Sequence, residues 1–274
     1  MKACQCRALC SAMLVVVVMS AATGDVAAQA ASATNGPTGF TVTIETPGTG
    51  SELHTRIYRW LESTQMLERV AAMMNQSFQW PAPIALAAGE CGQSNATYER
   101  SSSGATVRIC YELVQDIVTE FQHHDLTSID RGMAQSGTLM FVLLHDVGHA
   151  LLDQFRLSVP SDEQAADQFA VHILSAGDPA AAWWATEYWR RSGSAESFAF
   201  RDAFSRTHAV DAKRMYDVLC WIYGADPAGR GALIRGNGFP AERSDTCADE
   251  YVRMAAAWEK LLSPLATAAS TRQR

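Results

Sequence analysis

The chain has no cluster of basic residues, no internal repeat and no long apolar run beyond its first thirty residues. Its 22 Lys and Arg residues against 29 Asp and Glu give a formal net charge of −7. Proteins that bind nucleic acid usually carry a basic surface, so this balance argues against such a partner. Because no apolar run of membrane-spanning length follows residue 30, the rest of the chain is expected to be a soluble domain.

The first thirty residues have the organisation of a secretory signal peptide. A short basic segment with Lys2 and Arg7 is followed by an apolar run over residues 8–22, which is too short to span a membrane comfortably. Ala28-Gln29-Ala30 has the small-x-small pattern of a cleavage site. We therefore expect a bacterial signal peptide over residues 1–30 and a periplasmic or secreted protein, with an uncleaved N-terminal anchor as the alternative.

Cleavage after residue 30 would leave 244 residues with a net charge of −8, enough for one large domain or two small ones. Four of the seven cysteines would remain, which allows three pairings. No Cys-x-x-Cys spacing is present, and this favours disulfides over cysteine-bound zinc in an oxidising compartment. Closeness in sequence favours two particular pairs, Cys91 with Cys110 and Cys220 with Cys247.

Hydrophobic periodicity predicts a helix-rich α+β domain with a small sheet in its N-terminal half and a helical C-terminal half. We expect a single domain over residues 31–264 and a disordered tail over 265–274. The segment 40–44 predicts a short strand or an ordered lead-in, and 90–104 is turn-like. Further strands are expected over 84–88 and 105–110, and helices over 52–75, 111–124, 138–155, 162–175, 179–191, 209–223 and 248–262.

His145 and His149 stand four residues apart in a segment that should be helical. Both rings then project from one face of the helix, where an i, i+4 histidine pair can bind one Zn²⁺. The apolar residues around them would bury the helix, so two polar rings there need a partner. Gly148 between them is a poor helix former, and its position indicates that another backbone or a ligand passes close by.

A third metal ligand is expected from Glu163, thirteen residues beyond His149. Ser161 and Gln164 match a capping box, so a new helix should begin there with Glu163 in its first turn. Asp167 lies four residues further along the same face. Its carboxylate could accept a hydrogen bond from the outer N–H of a ligating histidine and fix its tautomer.

The segments His145-Asp-Val-Gly-His149 and Glu163-Gln-Ala-Ala-Asp167 resemble the glutamate-zincin pattern, His-Glu-x-x-His followed by Glu-x-x-x-Asp. More narrowly, the chain resembles a bacterial family of uncharacterised exported proteins labelled as metallopeptidases, and the resemblance covers most of the chain after the signal peptide. It implies a zincin-like metallopeptidase domain that binds Zn²⁺ through His145, His149 and Glu163, with Asp167 supporting a ligand.

The family pattern has glutamate as the general base where this chain has Asp146. Aspartate is one methylene shorter, and a misplacement on the order of an ångström can cost about a hundredfold in rate. The resemblance thus implies a zinc-dependent peptidase with Asp146 in the base position. The alternatives are a zinc-binding pseudo-peptidase that binds polypeptides without cutting them, or a disulfide-stapled helical domain without metal.

Two further expectations concern the substrate. His208 is a candidate for stabilising the oxyanion, because the resemblance reaches its segment; the alternative is an ordinary histidine at a helix N-terminus. By analogy with zincins, the strand at residues 105–110 is the candidate to bind an extended polypeptide substrate at the sheet edge.

Overall fold

The computed structural model describes residues 38–102, 104–192, 212–235, 239 and 241–267. The predicted signal peptide and His208 lie outside these residues. Within them the chain is a helix-rich α+β fold, with a four-stranded sheet in the N-terminal half and helices in the C-terminal half, as predicted. No helix among the described residues combines the length and the apolar character needed to cross a membrane.

The sheet has the strand order β1-β2-β4-β3. Strands β1, β2 and β4 are parallel, and β3 pairs antiparallel with β4. Apolar side chains are buried at every second position of β2 and β4, and in β1 Phe40 is buried while Val42 and Ile44 are partly buried. Their bounds are Gly39–Ile44 for β1, Pro83–Gly89 for β2, Ala96–Ser101 for β3 and Gly104–Cys110 for β4.

Helices account for most of the remaining described residues. They are α1 (Glu52–Thr64), α2 (Met66–Ser77), α3 (Tyr111–Gln122), α4 (Ser128–Gln154), α5 (Asp162–Gly177), α6 (Pro179–Ser192), α7 (Ala212–Ala225), α8 (Pro227–Arg235) and α9 (Ala241–Leu262), followed by a 3-10 turn at Ser263–Leu265. The long helix α4 contacts the sheet at β3 and β4 and also packs against α3, α5 and α6. Helix α7 packs against α5, α6 and α9, so the core runs from the sheet through α4 into the C-terminal helices.

The single helix predicted over residues 52–75 is two helices. Gln65 adopts a left-handed conformation with φ 50° and ends α1, and its backbone N–H bonds to the Leu61 carbonyl. The hydroxyl of Thr64 also bonds back to the last turn of α1. Both halves bury apolar residues at helical spacing, so the hydrophobic pattern runs through the break and does not reveal it.

The turn-like interpretation of residues 90–104 is also wrong, because β3 lies within it. Tyr98 pairs with Val107 of β4, while Glu99 and Arg100 are exposed at the sheet edge, so the segment lacks a long apolar alternation. The substrate-strand prediction fails for the same reason. Strand β4 is hydrogen-bonded to β2 on one side and to β3 on the other, so it has no edge left for a peptide.

The C-terminal end of the domain extends beyond the predicted boundary. Ala266 forms a bridge with Phe78, and the backbone N–H of Thr267 bonds to the carbonyl of Ser77. The first three residues of the predicted tail, 265–267, are therefore ordered. The remainder, 268–274, lies outside the described residues.

Candidate metal centre

Helix α4 brings the two histidine rings together. His145 and His149 are one helical turn apart, with ring centroids 4.7 Å apart and ring planes at 85°. Their Nε2 atoms are separated by 3.1 Å. The His145 side chain is fully buried, whereas that of His149 is 15% exposed, so the pair opens toward the surface on the His149 side.

Helix α5 adds a carboxylate to this pair. Ser161 caps the helix by accepting a hydrogen bond from the Gln164 N–H, as the capping pattern predicted. The Gln164 side chain does not complete the box, because it reaches Asp217 on α7 instead. Glu163 in the first turn places Oε1 3.2 Å from His149 Nε2 and Oε2 3.5 Å from His145 Nε2.

These three side chains fit a metal ion by both chemistry and spacing. Ligand atoms about 2.1 Å from a tetrahedral ion lie about 3.4 Å from one another, and here the Nε2 atoms of His145 and His149 are 3.1 Å apart while Glu163 Oε1 is 3.2 Å from His149 Nε2. One ligand atom from each of the three residues lies within 4.8 Å of the other two. Two imidazoles and one carboxylate are ligand types that zinc accepts. The second such cluster among the described residues is Cys91, Cys110 and Glu112, but its two thiols are joined in a disulfide.

Asp167 contacts the buried ring of His145 through its carboxylate. Its Oδ1 lies 2.9 Å from His145 Nδ1, which leaves Nε2 of that ring directed at His149 and Glu163. Burial lowers the pKa of His145, but hydrogen bonds to Asp167 and Glu163 and the charge of Asp167 outweigh it and raise the pKa to about 9. Burial raises the pKa of Asp167, and hydrogen bonds from Arg214 and His145 reverse this and lower it. The metal-free site is thus a proton-binding site.

A family model described as "Putative metallopeptidase" matches residues 48–262. The chain belongs to this family. The matched region includes every residue of the candidate metal centre and both disulfides. Neither the search of curated proteins nor that of solved structures found a match.

Asp146, the residue predicted to stand in the base position, is completely buried on α4 beside His145. Its carboxylate is close enough to Arg214 to help raise the pKa of that guanidinium, against the lowering effect of burial and together with the charges of Asp167 and Glu163. Asp146 therefore belongs electrostatically to the site, although its side chain is enclosed by protein.

Arg214 is a site residue of this family member that the sequence pattern did not identify. It lies on α7, 47 residues from Asp167, and donates Nη2–H to Asp167 Oδ1 at 2.7 Å. Its Nε–H donates to the other oxygen of the same carboxylate, and Nη1 is 3.0 Å from Glu163 Oε2. The available sequence signal was an arginine in the segment 208–224, which the family resemblance already included.

The cysteines of this family member are paired as the sequence favoured. Cys91 is bonded to Cys110, and Cys220 is bonded to Cys247. The first disulfide ties the loop after β2 to the end of β4, and the second ties α7 to α9. His208, the predicted oxyanion residue, lies outside the described residues.

Proposed function

We propose that this chain is an exported bacterial zinc-dependent metallopeptidase with a zincin-like active site. The observation that carries the proposal is the convergence of His145, His149 and Glu163, which place one ligand atom each within 4.8 Å of one another, a set of donors that suits one zinc ion. Membership of the family supports a peptidase-like activity. The pairing of His-x-x-x-His on one helix with Glu-x-x-x-Asp on the next supports the glutamate-zincin assignment.

His145, His149 and Glu163 would hold the zinc, and Asp167 would keep the His145 ring in place through Nδ1. When bound, zinc would polarise the scissile carbonyl and lower the pKa of the attacking water. Asp146 would take the proton from that water on a carboxylate oxygen and pass it to the nitrogen of the leaving amine. His208 would stabilise the negative charge that develops on the carbonyl oxygen.

The substrate would be an extended polypeptide. Strand β3 is at one edge of the sheet and contacts α4, the helix that carries both histidines. A peptide added beside β3 would form main-chain hydrogen bonds with that strand and would run past α4. This assigns to β3 the role that the analogy with zincins had given to residues 105–110.

Export is supported by the two disulfides, because such bonds persist in oxidising compartments such as the periplasm. The proposed leader at residues 1–30 can be tested together with the activity. Expression of the full chain in a bacterial host should yield a periplasmic or secreted product whose N-terminal residue is Ala31. A product that keeps residue 1, or that stays in the cytoplasm, would contradict the proposed cleavage.

The decisive experiment measures metal and proteolysis on that product. The parent should contain one zinc per chain and should cleave an unstructured protein such as casein, with loss of activity on chelation and recovery on adding Zn²⁺. His149→Ala and Glu163→Ala should abolish zinc binding. His124→Ala, which removes a half-buried histidine paired with Glu120 on α3, is the matched control and should keep the zinc. A parent without stoichiometric zinc would refute the proposal.

A second candidate function is a zinc-binding pseudo-peptidase that binds polypeptides without cutting them. The observation that favours it is the side chain of Asp146, which is shorter than the usual glutamate and completely buried. The two functions differ in their response to Asp146→Asn. A peptidase should lose about 10²–10⁴-fold in rate while keeping its zinc. A binder should show no proteolysis in either form and should retain zinc and casein in a pull-down.

A further inference from the structure

The guanidinium of Arg214 contacts two acidic residues of α5, the helix that carries Glu163. Glu163 and Asp167 are one turn apart on α5, and Arg214 crosses to both of them from α7. Nη1 is 3.0 Å from Glu163 Oε2, while Nη2 and Nε donate to the two oxygens of Asp167. The side chains of Arg214 and Asp167 are 10% and 1% exposed, so their contact is shielded from water, whereas Glu163 is 35% exposed and its contact is only partly shielded.

This arrangement divides the two oxygens of Glu163 between different partners. Oε2 is 3.0 Å from Arg214 Nη1 and 3.5 Å from His145 Nε2, whereas Oε1 is 3.2 Å from His149 Nε2. We propose that Arg214 is a positioning residue that makes Glu163 a one-oxygen ligand and thereby keeps a fourth coordination position open for water and substrate. The proposal rests on the metal site proposed above.

The role depends on the planar shape of the guanidinium as well as on its charge. Arginine donates from several N–H groups in a rigid fork, which a lysine ammonium cannot reproduce. The plane itself is restrained, because the guanidinium lies over the ring of Trp189 on α6 at 5.6 Å from its centroid. Helix α7 is in turn tied to α9 by the Cys220–Cys247 disulfide.

The charges of the site are consistent with this role. Asp146, Glu163 and Asp167 contribute three carboxylates, all of which act on the Arg214 guanidinium. The arginine offsets one negative charge, and a divalent ion would offset the remaining two. Both carboxylates that Arg214 contacts would lose a charged hydrogen-bond partner if it were removed, and Glu163 Oε2 would become available to the metal.

Cobalt binding provides the test, because the visible absorption of Co²⁺ is strong at four-coordinate sites and weaker at higher coordination numbers. The metal-free full chain, after export, is titrated with Co²⁺ in parallel with Arg214→Gln and Arg214→Lys. Arg243→Gln is the matched control, since Arg243 also joins two carboxylates, Asp217 and Glu250, but does so away from the metal ligands.

We expect the parent and Arg243→Gln to bind one Co²⁺ with the same intense spectrum. Arg214→Gln and Arg214→Lys should both show weaker absorption and a metal affinity about 10–100-fold lower, the loss typical of residues that support metal ligands. The thermal unfolding of each metal-free form reports whether it is folded. Arg214→Lys keeps the charge, so it carries the test if Arg214→Gln fails to fold.

Three results would overturn the proposal. An unchanged spectrum and affinity in Arg214→Gln would show that Glu163 needs no such positioning. Parent-like behaviour of Arg214→Lys would reduce the role of Arg214 to its charge. A parent that binds no Co²⁺ and no Zn²⁺ would remove the metal site itself, and this failure of the proposed function is distinguishable from the first two.

Discussion

Gly148 on α4 lies against Ala166 on α5 so closely that a Cβ at residue 148 would be 3.0 Å from the Ala166 Cα. The close approach brings the first two turns of α5 next to the histidine face of α4. It explains why a poor helix former stands between His145 and His149, and it matches the expectation that another backbone passes at this point.

Gly148→Ala should therefore disturb the metal site as well as the fold. The added methyl group meets backbone and cannot be relieved by rotation of a side chain, so the two helices must move apart. We expect a loss of about 1–3 kcal/mol in the free energy of unfolding. Zinc affinity should also fall, because Glu163 and Asp167 move away from the two histidines. Denaturant unfolding and zinc titration measure the two effects.

Gly137→Ala is the matched control. Gly137 is also on α4, and a Cβ there would stand 2.9 Å from the Cα of Ala181 at the crossing with α6. This variant should lose stability to a similar extent and keep the zinc affinity of the parent. Equal losses of zinc affinity in the two glycine variants would show that α4 transmits packing strain along its length, and that the Gly148 contact has no special role.

Most of the candidate site could be predicted because its signals are local in sequence. His145 and His149 share a helix face by their spacing, and Ser161 marks the start of the next helix within a few residues of Glu163. Arg214 could not be predicted in the same way. Its partners are 47 and 51 residues away, and only the packing of α7 on α5 brings them together.

The errors in the predicted fold have a different cause. The apolar periodicity continues across Gln65, whose left-handed backbone no hydrophobic pattern encodes. The edge strand β3 combines Ala96 and Tyr98 with exposed polar residues, so its composition is that of a turn. Strand order is set by long-range pairing, and the analogy with zincins therefore suggested residues 105–110 as the edge strand although β4 lies between β2 and β3.

Metal binding should release a proton and strengthen as the pH rises toward 9. The pKa of His145 is raised to about 9 in the metal-free protein, so this ring is protonated at neutral pH, and a metal can bind only the neutral ring. Zinc affinity should increase about tenfold per pH unit between pH 7 and 9 and then level off. Calorimetric titration in buffers of different ionisation enthalpy counts the released protons, and a pH-independent affinity would contradict the prediction.

The raised pKa of His145 should also make the metal-free protein less stable as the pH rises. A histidine whose folded-state pKa lies above its unfolded value of 6.5 stabilises the fold fully below pH 6.5, and the stabilisation is lost as the pH rises through 9. The shift corresponds to about 3 kcal/mol. The metal-free parent should lose stability on this order between pH 6 and 10, whereas Asp167→Asn should show a smaller change.

Glu90 should stabilise the segment that leads into α1. Its carboxylate accepts hydrogen bonds from the Thr49 hydroxyl and from His54 Nδ1, and these, together with the N–H groups of Gly48 and Thr49, lower its pKa to about 2. A lowered pKa stabilises the fold above the unfolded value of 4.5, and this contribution is lost as the pH falls toward 2.

The change that tests this contribution is Glu90→Gln. Its melting temperature should lie below that of the parent at pH 7, and the gap should narrow as the pH falls below about 4.5. Glu99→Gln, at an exposed position on β3, serves as the control and should melt like the parent throughout. A gap that is constant down to the acid unfolding transition would mean that the charge of Glu90 is irrelevant.

The disulfide between α7 and α9 should support both the fold and the metal site. Cys220 and Cys247 are 27 residues apart in sequence and are buried, and a Cβ at Gly224 would be only 2.1 Å from the Cys247 carbonyl oxygen. Replacing both cysteines with alanine should lower the free energy of unfolding by about 2–4 kcal/mol. Because α7 carries Arg214, zinc affinity should fall as well.

Removal of the other disulfide is the comparison. Cys91 and Cys110 close a loop of 19 residues at the end of the sheet, so replacing this pair should lower stability while leaving the affinity of the folded protein for zinc unchanged. Urea unfolding and zinc titration of the two double variants separate these effects. If only the Cys91 and Cys110 double variant lost zinc affinity, the disulfide that supports the metal site would be Cys91–Cys110 and not Cys220–Cys247.

The variant Asp146→Glu should have opposite effects on packing and on catalysis. Asp146 is completely buried, so the added methylene of glutamate must be accommodated inside a packed helix face and should cost about 1–3 kcal/mol of stability. The longer side chain would bring the carboxylate on the order of an ångström nearer to the reacting water, a distance that can change the rate by about a hundredfold. The variant should therefore melt at a lower temperature and cleave casein faster than the parent. If it is both less stable and slower, the buried pocket is shaped for aspartate, and the shorter base is the functional one in this chain.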